Sequence, residues 1–134
     1  MSTADTKTLN ILVLEDNENV REQICELLRS QSGFEVICEA ANGLEGVRNA
    51  EELQPDIVVL DVSNFGGIEA AARIRRVASK ARIVFLSQHK LEGVAQAALA
   101  SGGHAYVVKS AASTDLVSAI KAAFKGEQFV NQLD

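Results

Sequence analysis

The sequence lacks a hydrophobic run long enough to cross a membrane. Its longest apolar stretches, such as residues 57–60 and 83–86, are far shorter than the roughly 20 residues that a transmembrane helix needs. The first eight residues are polar and contain no apolar stretch after a basic start, so we expect no secretory signal. These absences predict a cytoplasmic protein without membrane contacts.

Cysteine, histidine and positive charge are also scarce. Cys25 and Cys38 have no metal-ligand spacing and lie within apolar patterns, so we expect buried, reduced thiols. His89 and His104 also lack a partner at ligand spacing and are expected to be solvated. The net charge of −5 argues against direct binding of nucleic acid through its phosphates. A single basic cluster fits a solvated helix face. Its members are Arg73, Arg75, Arg76, Lys80 and Arg82.

The apolar pattern predicts one α/β domain. At 134 residues the chain has room for a single core. Short apolar runs alternate with stretches of helical periodicity, which is typical of βα units around a parallel sheet. Four runs are almost continuously apolar, as strands covered on both faces should be, whereas residues 34–38 alternate and indicate an edge strand. The predicted strands are residues 11–14, 34–38, 57–60, 83–86 and 105–108.

Apolar residues at helical spacing predict five helices between and after these strands. Pro55 should end the second helix, and Ser113 is a candidate N-cap for the fifth. The helical stretches are about residues 18–31, the segment marked by Leu44, Val47 and Leu53, residues 67–77, about residues 91–100, and the segment from Ser113 that carries Leu116, Ile120 and Phe124. The predicted fold is a doubly wound (βα)5 parallel sheet, whose functional sites lie beyond the carboxyl ends of the strands.

Polar side chains directly follow four of the five predicted strands. They are Glu15 and Asp16 after the first strand, Asp61 after the third, Ser87 after the fourth and Lys109 after the fifth. Each alone has an ordinary explanation, such as a turn residue or a solvated lysine. Together they place three carboxylates, one hydroxyl and one cation at the same edge of the sheet. The combination predicts a functional site there.

These residue types suit phosphoryl transfer assisted by Mg²⁺. The ion prefers oxygen ligands and takes few carboxylates, which Glu15, Asp16 and Asp61 can supply. A carboxylate oxygen of Asp61 can attack phosphorus without a general base, because it is already ionised at neutral pH. Lys109 would offset negative charge on the phosphoryl oxygens, and Ser87 would donate a hydrogen bond to one of them.

The segments ILVLEDNENVR, PDIVVLD, IVFLS and AYVVKS resemble the signature segments of response-regulator receiver domains, and the similarity covers almost the whole chain. The resemblance implies a CheY-like, flavodoxin-like sheet of five strands in the order 2-1-3-4-5. It also implies residue roles: Asp61 as phosphoacceptor, Glu15 and Asp16 as acidic pair, the backbone carbonyl of Ser63 as a further metal ligand, Ser87 as switch hydroxyl, Tyr106 as switch aromatic and Lys109 as the family's lysine.

The function that this resemblance implies is a phosphorylation switch in a two-component system. A sensor histidine kinase would phosphorylate Asp61 in the presence of Mg²⁺, and Tyr106 would turn inward as Ser87 moves toward the phosphate. The surface of the fourth predicted helix, fifth strand and fifth predicted helix would then bind a partner or a second copy. No enzymatic activity is expected beyond phosphorylation and dephosphorylation of Asp61. Residues 9–125 would form the receiver core, between a disordered polar start (residues 1–8) and a tail or linker (residues 126–134).

The connection after Asp61 departs from the family pattern. Residues 62–67 lack the usual Met-Pro and are about two residues short, while Gly66 and Gly67 can adopt backbone angles closed to other residues. Because this loop supplies a metal ligand, the shortening is expected to affect Mg²⁺ binding and phosphorylation. Lys109-Ser110 and residues 126–130 are similar to receivers of NarL/FixJ-type (LuxR-type) regulators, in which a DNA-binding domain follows. The chain would be either a stand-alone receiver or the receiver part of a transcription regulator.

Other functions remain open at this point. The shortened loop is also compatible with a pseudo-receiver that acts as a phosphorylation-independent interaction module. A hydrolase of the haloacid-dehalogenase kind would also use Asp61 as nucleophile, but it needs a second acid two residues on, where Ser63 stands. A flavin-binding version of the fold is disfavoured because Glu15 and Asp16 would repel the flavin phosphate.

Overall fold

A single parallel sheet organises the part of the chain that the computed structural model describes, which is residues 8–62, 65–88, 100 and 104–130. Its strand order is β2-β1-β3-β4-β5-β6, and every neighbouring pair is parallel. The strands are β1 (Leu9–Leu14), β2 (Phe34–Ala40), β3 (Ile57–Asp61), β4 (Arg82–Ser87), β5 (Ala105–Val108) and β6 (Phe129–Val130). The first five strands confirm the predicted order 2-1-3-4-5, with β2 at an edge.

Four helices cover the sheet within the described residues: α1 (Glu18–Arg29), α2 (Gly43–Leu53), α3 (Phe65–Val77) and α4 (Ala112–Phe124). The helix named α4 is the fifth one predicted from the sequence. Of the helix predicted at about residues 91–100, only Ala100 lies within the described residues, and it is helical. None of the described helices is long and apolar enough to span a bilayer.

Alternate residues of the strands point into two separate apolar layers. Leu12 and Leu14 of β1 pack into a cluster with residues of α2 and α3, whereas Ile11 and Val13 pack into a second cluster with residues of α1 and α4. Because both faces are buried, the strands need apolar residues at almost every position, as their sequences show. Apart from the half-exposed edge strand β2, the sheet can therefore offer polar side chains mainly at the ends of its strands.

Short polar residues begin and end the helices. Asn17 and Asn42 are the N-caps of α1 and α2, and their side chains accept hydrogen bonds from the backbone amides of Val20 and Glu45. Helix α2 ends at Leu53, and Gln54 before Pro55 has the left-handed φ of 50°. The stop before Pro55 is therefore confirmed.

Two helices begin at other residues than the sequence pattern indicated. Helix α3 begins at Phe65 rather than at Gly67, so the glycine pair lies in its first turn. Helix α4 begins at Ala112 after a 3-10 turn (Lys109–Ala111), so the prediction of Ser113 as N-cap is wrong. The backbone is already helical in the 3-10 turn before α4. The hydroxyl of Thr114 donates a hydrogen bond to the carbonyl of Ala111 at 3.0 Å.

The sixth strand was not expected from the sequence. Residues Phe129 and Val130 pair with Ala105 and Tyr106 of β5, and the amide of Phe129 donates to the carbonyl of His104 at 3.2 Å. The side chain of Phe129 packs against the cluster of α1 and α4. The segment expected to be a tail thus covers the β5 edge of the sheet.

Both thiols are free, and their burial differs. Cys25 is buried as predicted, while Cys38 is only half-buried. Burial, reinforced by the nearby charge of Glu39, raises the pKa of Cys25 to about 11. The Cys25 thiol is therefore protonated, and unreactive as a nucleophile, at neutral pH.

His104 is half-buried rather than solvated, contrary to the expectation from the sequence. Within the described residues its Nδ1 atom is buried and has no hydrogen-bond partner. Burial lowers the pKa of His104, and the positive charges of Arg82 and Arg75 lower it further. The folded protein therefore favours the neutral imidazole.

This environment makes stability depend on pH. A histidine with a lower pKa in the folded state binds its proton more readily when unfolded, so its contribution to stability is present above the ordinary histidine pKa of about 6.5 and is lost as pH falls below it. We expect the melting temperature of the wild type to fall between about pH 7.5 and 5.5 more than that of His104→Gln. Thermal denaturation followed by circular dichroism at both pH values checks this, and equal decreases in the two proteins would contradict it.

Candidate functional site

The carboxyl ends of β1, β3 and β5 bring charged side chains to one place. Glu15 follows β1, Asp61 is the last residue of β3 and Lys109 follows β5. The Lys109 ammonium lies 2.8 Å from Oε1 of Glu15 and 3.2 Å from Oδ1 of Asp61. The Lys109 ammonium thus links the ends of the neighbouring strands β1 and β3 to the end of β5.

Three carboxylates form the acidic part of this site. One side-chain oxygen each of Glu15, Asp16 and Asp61 lies within 4.8 Å of the others. Glu15 is buried, Asp61 is intermediate and Asp16 is exposed. The group therefore extends from the interior to solvent, and a ligand can approach it from the Asp16 side.

Burial and ion pairing have opposite effects on the pKa values of Glu15 and Lys109. Burial raises the pKa of the Glu15 carboxyl group, although its bonds with Lys109 and the Asn17 amide lower it. Burial alone would lower the pKa of Lys109, but the bond to Glu15 and the charge of Asp61 outweigh it and the pKa is raised. Lys109 consequently stays protonated and offsets the charge of the carboxylates.

Two residues missed by the sequence analysis hold the acidic pair in position. A guanidinium nitrogen of Arg21 donates to the backbone carbonyl of Glu15 at 2.8 Å, and its Nε atom pairs with Glu39 at 3.3 Å. The amide of Asn17 donates to Oε2 of Glu15 at 3.0 Å while its own side chain caps α1. The capping role of Asn17 has a sequence signal, an Asn directly before the helix. The role of Arg21 has none.

Ser87 and Tyr106 form a buried pair next to the carboxylates. Ser87 follows Leu86, which lies opposite Asp61 in the ladder between β3 and β4. The side chains of Ser87 and Tyr106 are joined by a hydrogen bond, and both residues are fully buried. The Tyr106 ring therefore occupies the inward position, packed in the cluster of α2 and α3.

Gly67 allows the start of α3 to contact the end of β3. A Cβ atom at Gly67 would lie 2.4 Å from the carbonyl oxygen of Asp61 and 2.9 Å from the Cα atom of Val62. Gly67 does not have a left-handed φ, so the expected use of unusual backbone angles is wrong at this position. What the chain needs there is the absence of a side chain.

A small pocket opens beside the carboxylates. It has a volume of about 260 Å³ and contains Asp16, Asp61 and Gly67 together with residues from β1 and the start of α2. Its walls are Leu14, Asp16, Ala41, Asn42, Gly43, Asp61, Gly67 and Ala70. The start of α3 thus forms one wall of the space that adjoins Asp61.

The structure brings four of the predicted site residues into direct proximity, namely Glu15, Asp16, Asp61 and Lys109. The predicted carbonyl ligand, Ser63, lies outside the described residues, as does His89. The donor set fits a hard divalent cation, because it consists of carboxylate oxygens with graded access to solvent. A buried carboxylate such as Glu15 also requires a compensating cation.

The close contact at Gly67 predicts that any side chain at this position destabilises the folded protein. We expect Gly67→Ala to lower the free energy of unfolding by about 1–3 kcal/mol, since the added methyl group meets rigid backbone. Gly43→Ala is the matched control in the same pocket, because its Cβ atom would lie 3.4 Å from that of Ala70, an ordinary contact. Urea denaturation measures both. Equal stability of the two variants would contradict the close packing.

The buried hydroxyl pair predicts energetic coupling. We expect Ser87→Ala and Tyr106→Phe to be non-additive, with a coupling energy of about 0.5–1.5 kcal/mol from their shared hydrogen bond. A double-mutant cycle of unfolding free energies measures it. Strict additivity would show that the two hydroxyl groups do not stabilise one another.

The sequence has clear relatives. The protein-family model described as "Response regulator receiver domain" matches residues 11–121. The chain is 36% identical over 121 residues to the transcriptional regulatory protein LiaR of Bacillus subtilis (strain 168), covering 89% of this chain and 57% of LiaR. It is 30% identical over 122 residues to the response regulator protein VraR of Staphylococcus aureus (strain Mu3 / ATCC 700698), covering 90% of this chain and 58% of VraR. The chain therefore spans less than two thirds of these relatives.

Solved structures give the same answer. A LuxR-family two-component response regulator from Aurantimonas sp. SI85-9A1 superposes with a TM-score of 0.86 at 36% identity, covering 92% of this chain and 89% of that one. The response regulator domain of Thermotoga maritima CheB superposes with a TM-score of 0.81 at 26% identity, covering 89% and 98%. With the sheet order and the matched family, these likenesses place the chain in the family of two-component response-regulator receiver domains.

Proposed function

We propose that this chain accepts a phosphoryl group from a sensor histidine kinase on Asp61. The observation that carries the proposal is the Lys109 ammonium between the carboxylates of Glu15 and Asp61, with Asp16 beside them. A lysine held there can offset the negative charge that develops on a transferring phosphoryl group. The family membership makes a protein phosphohistidine the natural donor.

Exposure distinguishes the two carboxylates that Lys109 contacts. The Asp61 side chain is 15% exposed, whereas that of Glu15 is 2% exposed. Asp61 is therefore the carboxylate that a donor can reach. Its oxygen attacks phosphorus, the new O–P bond forms as the N–P bond breaks, and the histidine nitrogen leaves with the bonding electron pair.

The residues that would hold Mg²⁺ are Glu15, Asp16 and Asp61, with the backbone carbonyl of Ser63 as a further ligand. When bound, the ion neutralises phosphoryl oxygens and orients the donor for in-line transfer. The Glu15 carboxyl group is held in a fixed position, because the Asn17 amide and the Lys109 ammonium contact both its oxygens.

A groove between α1 and α4 offers a place for the kinase to dock. It has a volume of about 460 Å³ and extends to Lys109 and Ser110, at the same edge of the sheet as Asp61. Its apolar wall consists of Val20, Ile24, Leu27 and Leu86. A helix of the kinase in this groove would bring its phosphohistidine to the site from solvent.

The output of the switch would pass through Ser87 and Tyr106. A phosphoryl group on Asp61 would attract the Ser87 hydroxyl and so change its bond with Tyr106, altering the surface around β5. This surface would bind a partner or a second copy. By analogy with the transcriptional regulatory protein LiaR, the regulated process would be transcription, in the cytoplasm, with DNA contacted by another domain. The chain itself would catalyse only the phosphorylation and dephosphorylation of Asp61.

Phosphorylation from a small donor tests the proposal directly. We expect wild-type protein incubated with Mg²⁺ and acetyl phosphate to gain the mass of one phosphoryl group, and Asp61→Asn to gain none. Glu51→Gln, an exposed carboxylate near the end of α2 and at the edge of the sheet opposite to Asp61, is the control and should behave as wild type. Intact-mass spectrometry is the measurement. No phosphoryl group on the wild type, or equal labelling of Asp61→Asn, would overturn the proposal.

The other functions considered from the sequence gain no support. A phosphorylation-independent interaction module would not need the Lys109 bridge, which is in place. A haloacid-dehalogenase mechanism needs a second acid where Ser63 stands. Beryllofluoride binding that requires both Mg²⁺ and Asp61 would separate a phosphorylated switch from a pseudo-receiver.

A further inference from the structure

The outer surface of α2 and α3 carries an apolar groove that the phosphorylation site does not use. It has a volume of about 280 Å³ and is lined by Leu44, Val47, Arg73, Arg76 and Val77. These five residues define what we call the α2/α3 groove. A smaller depression of about 210 Å³ continues it toward Gly43 and Glu69. The groove lies on the opposite face of the sheet from α1 and α4.

Apolar side chains in this region remain in contact with water. Leu44 is 63% exposed and Leu53, also on α2, is 42% exposed. Leu44 and Val47 belong to the apolar stripe that predicted α2 from the sequence, yet α3 covers only the inner part of that stripe. Covering Leu44 would remove apolar surface from water, which favours association.

Two unpaired cations flank the apolar surface. Arg73 and Arg76 are exposed, and neither forms an ion pair within the described part of the chain. The chain as a whole carries a net charge of −5, so this pair of guanidinium groups stands out against an acidic background. Arginine beside apolar surface is a combination that protein interfaces favour.

Within the described residues, two surfaces that a second copy could present to the groove carry the same positive charge as the groove. Apart from Leu44 and Leu53, the exposed large apolar side chain among the described residues is Phe124, which lies between Lys121 and Lys125 on the chain. A second copy that presented Phe124, or the same groove, would place cations against Arg73 and Arg76. Complementarity therefore requires apolar side chains accompanied by carboxylates.

We propose that the α2/α3 groove docks an acidic amphipathic helix of a partner protein. Apolar side chains at positions i, i+3 and i+4 of that helix would cover Leu44, Val47 and Val77. Carboxylates along the edge of the same stripe would pair with Arg73 and Arg76. This interaction goes beyond phosphorylation and does not require Asp61.

A synthetic peptide pair tests the proposal. The first peptide has about 16 residues, leucines at helical spacing and glutamates on both sides of the leucine stripe, and the second has lysines in place of the glutamates. With the full chain labelled for NMR, we expect the acidic peptide to shift the signals of Leu44, Val47 and Val77, and the basic peptide to leave them unchanged. The absence of groove-specific shifts at millimolar acidic peptide would overturn the proposal.

Substitutions in the groove test which side chains contribute to binding of the acidic peptide. We expect Arg73→Glu/Arg76→Glu and Leu44→Ser each to weaken binding of the acidic peptide about tenfold, as measured by isothermal titration calorimetry. Lys121→Glu/Lys125→Glu, a double charge reversal on the opposite face of the sheet, and Phe124→Ser, which removes another exposed apolar side chain, are the controls, and both should bind as wild type. Circular dichroism verifies that each variant is folded. Equal losses in variants and controls would overturn the proposal.

Two further measurements distinguish helix docking at the α2/α3 groove from phosphorylation of Asp61 and from nucleic-acid binding. Asp61→Asn should bind the acidic peptide as wild type does, so a failure of phosphorylation leaves this result unaffected. A short DNA duplex that shifts the same groove signals more strongly than the peptide would show that the arginines serve nucleic acid and would overturn the proposal.

Discussion

The buried carboxylate of Glu15 is the constraint around which the site is organised. A carboxylate with 2% exposure cannot remain ionised unless a cation and hydrogen-bond donors compensate for the lost water. Lys109 supplies the charge and the Asn17 amide supplies a donor. Because Lys109 reaches Asp61 with the same ammonium group, the compensation of a buried charge also positions the Asp61 carboxylate.

The position of Lys109 depends in turn on the architecture of the sheet. Lys109 begins the 3-10 turn after β5, whereas Glu15 follows β1 and Asp61 ends β3. Strand β4 lies between β3 and β5. The ammonium therefore reaches across the end of β4, which a long side chain permits. Parallel strands make this possible because all their carboxyl ends meet at one edge. Because both faces of the inner strands are buried, charged side chains lie at the strand ends.

Short-range patterns predicted the strands and the residues at their ends, whereas the sheet order came from the resemblance to receiver domains. Apolar runs locate the strands, and the polar residue after each run locates Asp61 or Lys109. Contacts between distant segments leave no such pattern. Arg21 contacts the Glu15 carbonyl across a helix turn, and the need for Gly67 arises only where α3 meets β3. His104 was expected to be solvated because it lies outside the predicted strands and helices. The two-residue strand β6, whose Phe129 amide donates to the His104 carbonyl, is too short to be recognised from periodicity.

The start of α3 is packed tightly against the end of β3. Helix α3 begins two residues earlier than expected, and its first turn contacts the Asp61 backbone at Gly67 with no space for a side chain. At its other end, the Val77 carbonyl accepts a hydrogen bond from the side chain of Gln54 at 2.9 Å, which ties it to the end of α2. These two contacts fix the start of α3 against β3 and its end against α2, so the packing of the helix and the shape of the space beside Asp61 depend on both.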